Sequence, residues 1–193
     1  TWGGLTSLND VLIPHLKAVF QMNYAQSMLI QSTFFGAYFL MSLPASKVVA
    51  KVGYKNSIVI GLIVAAAGAA LFFPAARIPS YPLFLAALFV LASGITLLQV
   101  SANPYISLLG DPAGAPSRLN LAQALNSLGT TLFPYVIGPL ILSTAVLGTA
   151  ELAAMSVTEQ AAYRAHEAAS VQMPYMIIAG CLLLLAVFVY QMR

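Results

Sequence analysis

Of the 193 residues, 60% are hydrophobic and only 7% charged, and the mean hydropathy is +0.88. Soluble domains carry about 25% charged residues, so this composition excludes an ordinary soluble domain and indicates a membrane protein. Eight basic and five acidic residues leave a net charge of +3, too sparse for the dense basic patch that nucleic-acid binding requires.

A membrane-crossing helix needs roughly 20 mainly apolar residues. Windows of that size predict six spans, at 1–20, 25–48, 57–76, 82–109, 119–147 and 171–191. The opening TWGGLTSLND has neither the basic start nor the apolar run of a signal peptide. It reads as a segment cut from a longer chain, with the first span missing its start. Turn and polar residues separate the spans in QMNYAQ, KVGYKN, RIPSYP and GDPAGAPSR. The last connection, at 150–170, is long enough for structure of its own. Ser156 there precedes Glu159 by three residues, the spacing of a capping box, and predicts a short surface helix over VTEQAAYRAHEAA in a periplasmic linker.

The basic residues orient these spans. Lys47, Lys51, Lys55, Arg118 and Arg193 fall on one side, and Lys17, Arg77 and Arg164 on the other. The larger group is expected in the cytoplasm, which also places the C-terminal end of the sixth span there.

Polar side chains are costly in hydrocarbon, so those within spans are expected to face a bundle interior or a watery cavity. Asn9 and Asp10 precede Pro14, which removes a backbone donor and is expected to kink or end the first span. Asp10 is the one carboxylate placed within a span. Gln99 and Asn103 are four apart and share a helix face, just before Pro104. Asn120, Gln123 and Asn126 recur every third residue as one polar stripe. Such amides can act as glue between helices, with a gain of about 0.6 kcal/mol per bond. They can equally line a pathway for a neutral polyhydroxylated ligand, because each amide both donates to and accepts from a hydroxyl. Tyr38 shares a face with Phe34, beside Phe35, where an aromatic plate could support a sugar ring, although such residues more often only pack.

Other chemistries find little support. His15 and His166 form no cluster with Cys181, so neither a metal site nor a cofactor is implied. No phosphate-binding glycine loop is present, and no paired carboxylates or nucleophile and base stand at the spacing an enzyme would need. Glycine and alanine in AAAGAALFF (65–73) and SLGTTLFPYVIGP (127–139) suit close helix packing instead.

Five stretches, LNDVLIPHLKAVF, FFGAYFLMSLPASKVVAKVGYK, LQVSANPYISLLG, SRLNLAQALNSLGT and QMPYMII, resemble in the same order the N-terminal half of the fucose and glucose/galactose permeases of the major facilitator superfamily. The resemblance implies an all-α membrane protein in which residues 1–193 form a six-transmembrane-helix bundle, one half of a twelve-helix fold. The sugar would bind near the bilayer midplane between this half and a C-terminal six-helix half. It further implies a bacterial inner-membrane location and cation-coupled symport of a neutral hexose such as glucose or galactose.

Carried over by residue, Asp10 matches a protonatable group at the sugar cavity and becomes the candidate for coupling to a proton or sodium. Gln123 and Asn126 match cavity-lining amides. Gln99 stands where fucose permeases carry a glutamate and the glucose/galactose branch a glutamine, which favours the latter. Ala50 replaces the aspartate usual in the superfamily before Lys51 and Gly53. The substrate-side set is therefore Gln99, Asn103, Asn120, Gln123, Asn126 and Tyr38. Alternatives are an L-fucose:proton symporter and a non-transporting membrane sensor or scaffold.

Overall fold

The computed structural model describes residues 2–8, 12, 23–78, 80–141 and 155–192. Asn9, Asp10 and Pro14 lie outside the described residues, as do 142–147 of the fifth predicted span. A short helix α1 covers residues 2–8. The helix Tyr24–Arg77 follows, then α4 (Tyr81–Leu108), a 3-10 turn (Pro112–Gly114), α5 (Ala115–Ile141), α6 (Val157–Ser170) and α7 (Gln172–Gln191). By length and composition three of these, Tyr24–Arg77, Tyr81–Leu108 and Gln172–Gln191, can cross a membrane.

The 54-residue helix Tyr24–Arg77 is two arms, because Gly53 sits at φ 81°, ψ 170°, a backbone region open only to glycine. We call the arms α2 (residues 24–52) and α3 (residues 54–77). The six-residue break expected over KVGYKN thus narrows to one residue. The arms fold back on each other: Tyr81, just beyond the end of α3, donates its hydroxyl to the Gln26 carbonyl near the start of α2 at 2.7 Å. A capping box fixes that start, with Gln26 N–H donating to Asn23 Oδ1 at 2.8 Å and Asn23 N–H to Gln26 Oε1 at 3.0 Å.

Contacts at the Gly53 end sort the basic residues. Tyr54 stacks on Tyr105 with ring centroids 6.1 Å apart, and Lys55 Nζ donates to the Met192 carbonyl beside the Tyr190 ring. Arg118 spreads its guanidinium over the carbonyls of Ile106, Ser107 and Asp111 at 3.0–3.2 Å, so it ties the start of α5 to the end of α4. Lys55 and Arg118 therefore share one end of the bundle. Arg77 lies at the other, with Gln26 and Tyr81. These three residues fall as the charge count groups them, while Lys17 and Arg193 lie outside the described residues.

The core runs through α2, α3, α4 and α7. Phe34, Phe72, Phe84 and Tyr175 are fully buried, Phe72 stacks on Tyr175 at 4.0 Å and meets Phe84 edge-on at 5.7 Å. Backbones approach closely where the small residues fall. A Cβ built on Gly68 would lie 2.3 Å from Leu91 N, and one on Gly94 2.3 Å from Ala65 N.

The capping box expected for the linker forms. Ser156 N–H and Oγ–H donate to Glu159 Oε2 at 2.8 and 2.7 Å, and Glu159 N–H returns a bond to Ser156 Oγ at 3.3 Å. The Ser156 side chain, aided by its backbone N–H, holds the Glu159 carboxyl below the usual carboxylate range. A depressed acid contributes stability above its unfolded pKa and loses it as pH falls through the folded value. Amide protection at the start of α6 is therefore expected to persist at neutral pH and fall at acid pH below the ordinary glutamate range. Ser156→Ala should remove most of that pH dependence, as read by hydrogen exchange corrected for intrinsic rates.

Candidate functional site

Three helices meet at the Tyr38 hydroxyl. Gln99 Nε2 on α4 donates to Tyr38 Oη on α2 at 3.4 Å, and Tyr38 Oη lies 3.4 Å from Thr6 Oγ1 on α1. Thr6 gives its single hydroxyl proton to the Trp2 carbonyl at 2.9 Å, so the proton in the Tyr38–Thr6 contact comes from tyrosine. The bonds then run in one direction, from Gln99 to Tyr38 to Thr6 to the α1 backbone. Both 3.4 Å contacts are long, which lets a guest hydroxyl compete for the same groups. The chain uses one amide donor of Gln99 and leaves its carbonyl oxygen to accept.

One turn further along α4, Asn103 Oδ1 is buried without a hydrogen-bond partner among the described residues. A buried acceptor left unmatched costs about 1–3 kcal/mol, so native structures rarely leave one without a use. A ligand hydroxyl would satisfy it. Pro104 follows within α4, where its missing N–H also frees a carbonyl of the preceding turn.

The α5 amides divide. Asn126 is half-buried, and its Oδ1 accepts from Gly3 N–H on α1 at 2.6 Å. A Cβ on Gly3 would lie 2.6 Å from that same oxygen, so the two helices touch here through glycine. Asn120 and Gln123 are exposed and do not join the Tyr38 chain. The expected single stripe is therefore one amide engaged with α1 and two presented on an open helix face. Phe34 is fully buried, 5.4 Å from Tyr38, and serves as packing rather than as a plate. Phe35 beside it is 53% exposed.

Thr6 was missed by the sequence reading. Its signal in the sequence is a spacing of four from Asp10, the interval that marks one helix face. A lone hydroxyl draws little notice beside a carboxylate. No group of three or more metal-ligating side chains occurs among the described residues.

Comparison with known proteins gives this arrangement its family. The Major Facilitator Superfamily pattern matches residues 3–192. The chain belongs to the major facilitator superfamily. It is 55% identical to a glucose/galactose transporter of Brucella abortus (strain 2308), over 96% of this chain and 42% of that protein. It is 40% identical to the L-fucose-proton symporter of Escherichia coli (strain K12), over 97% of this chain and 43% of the symporter. A crystal structure of the superfamily transporter FucP in the outward conformation superposes with a TM-score of 0.88 at 40% identity, covering all of this chain and 47% of that one. The chain thus spans about half the length of the relatives it matches and corresponds to their N-terminal half. Within the superfamily the described helices are half of a helical membrane bundle. The relatives are named as transporters rather than enzymes.

Proposed function

We propose that the chain forms the N-terminal half of a secondary active transporter for a neutral hexose of the glucose or galactose type. The observation that carries this reading is the interhelical chain Gln99–Tyr38–Thr6 next to Asn103 Oδ1, which has no partner among the described residues. Together they offer donors and acceptors without a charge, as a sugar's hydroxyls require. The 55% identity to a protein named as a glucose/galactose transporter supports the substrate class. Asn120, Gln123 and Asn126 complete the substrate-facing set along α5. Asp10 carries the coupling proton or sodium, since Gln99 does not titrate. Residues 1–193 are read as one domain, with 150–170 as a periplasmic linker. The Lys55–Arg118 end faces the cytoplasm of the inner membrane.

Uptake of labelled glucose and galactose into proteoliposomes holding the full-length transporter tests the proposal. Asp10→Asn is expected to keep exchange of sugar across the membrane and lose uphill accumulation. Accumulation unchanged by that substitution would remove Asp10 from the coupling role. Tyr38→Phe and Thr6→Val break the chain at two points, and each should raise KM while leaving the protein folded. Glucose uptake untouched by both would overturn the site.

The likeness to the L-fucose-proton symporter favours a second reading, a fucose carrier. It makes a distinct forecast: fucose in excess would displace labelled glucose.

A further inference from the structure

Among the described residues, a cavity lies between α1, α5 and α7. It is lined by Leu5, Phe133, Ile137, Ile178, Leu182 and Leu185, with Ile177 and Cys181 at its edge, and has a volume of about 280 Å³. Its floor is deeply buried, with Leu5 and Leu182 at 2% and Ile178 at 5% exposure. Its mouth is not, because Ile177 and Cys181 are exposed. Every described side chain that lines it is apolar or a thiol, so a sugar finds nothing to bond among them.

Depth identifies the occupant. Cys181 is at the middle of α7, nine residues from Gln172 and ten from Gln191, on the order of 14 Å along the helix from either end. A phospholipid headgroup does not reach the midplane of a hydrocarbon core about 30 Å thick, whereas the distal part of an acyl chain does. The mouth lies on the same face of α7 as the exposed Leu184 and Phe188, and an apolar face on a helix long and apolar enough to cross a membrane suits contact with lipid chains. A cavity of about 150 Å³ with such a lining already takes up benzene. Left empty, this larger one would deprive its lining atoms of dispersion contacts.

We propose that the cavity is a binding site for the methyl-terminal segment of a phospholipid acyl chain from the bilayer. The chain enters past Ile177 and Cys181 and packs against Leu5, Ile178 and Leu182. It thereby fills the wedge between α5 and α7 near the midplane.

Photolabelling of the full-length transporter reconstituted in phosphatidylethanolamine and phosphatidylglycerol vesicles tests this. Phosphatidylethanolamine with a diazirine near the methyl end of its chain is expected to label Leu5, Ile178 and Leu182, whereas the same lipid with the diazirine near the ester should not. Cys181→Trp fills the mouth and should abolish those adducts while leaving those at Val187 and Phe188. Ile177→Trp serves as a second plug should the first variant fail to fold. Floor residues left unlabelled by the methyl-end probe, or labelled equally in plugged and wild-type protein, would overturn the proposal. Labelling by a photoreactive free fatty acid but not by the phospholipid would overturn it as well.

Discussion

Gly94→Leu is expected to prevent folding, and Gly94→Ala to lower stability by about 1–3 kcal/mol through overpacking. A Cβ at this position would sit 2.3 Å from Ala65 N, 2.7 Å from Ala65 Cα and 2.7 Å from the Gly61 carbonyl. These are backbone atoms of α3, so no side-chain rotation relieves the clash and the helices must separate. Gly68 repeats the geometry from the opposite side, with Leu91 N at 2.3 Å and Leu91 Cα at 2.5 Å. The two contacts hold α3 and α4 at backbone distance over consecutive turns. In a bilayer the lipid competes for the same apolar surface, and such packing replaces the hydrophobic drive that joins helices in water. Gly36→Ala and Gly180→Ala are the controls, since a Cβ at either meets nothing within 4 Å. Both should melt at or slightly above the wild-type temperature, because alanine favours helix by about 1 kcal/mol over glycine. Thermal unfolding in detergent, followed by the loss of monodisperse protein, distinguishes the pairs. Equal melting of Gly94→Ala and Gly180→Ala would show that the α3–α4 approach is looser than 2.3 Å implies.

How legible these features were in the sequence depended on how local their causes are. The Ser156 to Glu159 capping box spans three residues and could be read directly. The small residues of AAAGAALFF announced close packing, and Ala65 and Gly68 provide it, but their partners Gly94 and Leu91 lie more than twenty residues away and no spacing names them. The KVGYKN break was visible. That one glycine with positive φ suffices was not, since the flanking residues keep helical bonding up to it. At the candidate site, a period of four marked Gln99 and Asn103 as sharing a face, yet the partner of Gln99 is Tyr38, 61 residues earlier. Thr6 went unseen because a threonine on an apolar helix normally bonds its own backbone, as Thr6 also does with Trp2. Periodicity reports which face a side chain occupies and carries no information about what stands opposite.

Asn126 and Gln123, which the sequence treats alike, are expected to separate when each is replaced by leucine. Asn126→Leu removes the acceptor for Gly3 N–H and forces a branched side chain against an α1 backbone that already lies 2.6 Å from the amide oxygen. A cost of about 2–3 kcal/mol follows from one lost part-buried bond together with overpacking. Melting temperature should drop clearly, whether or not sugar is present. Gln123 stands exposed on the same helix, so Gln123→Leu should leave the melting temperature within the range of a neutral surface change, about 0.5 kcal/mol. If Gln123 faces the sugar, its loss will appear elsewhere, as a vanished thermal shift on adding glucose or galactose to the full-length protein. The two outcomes separate an amide that also holds α1 from one that serves the cavity alone. Should Gln123→Leu melt early and keep its sugar-induced shift, the α5 amides are structural throughout, and the scaffold reading of this chain gains over transport.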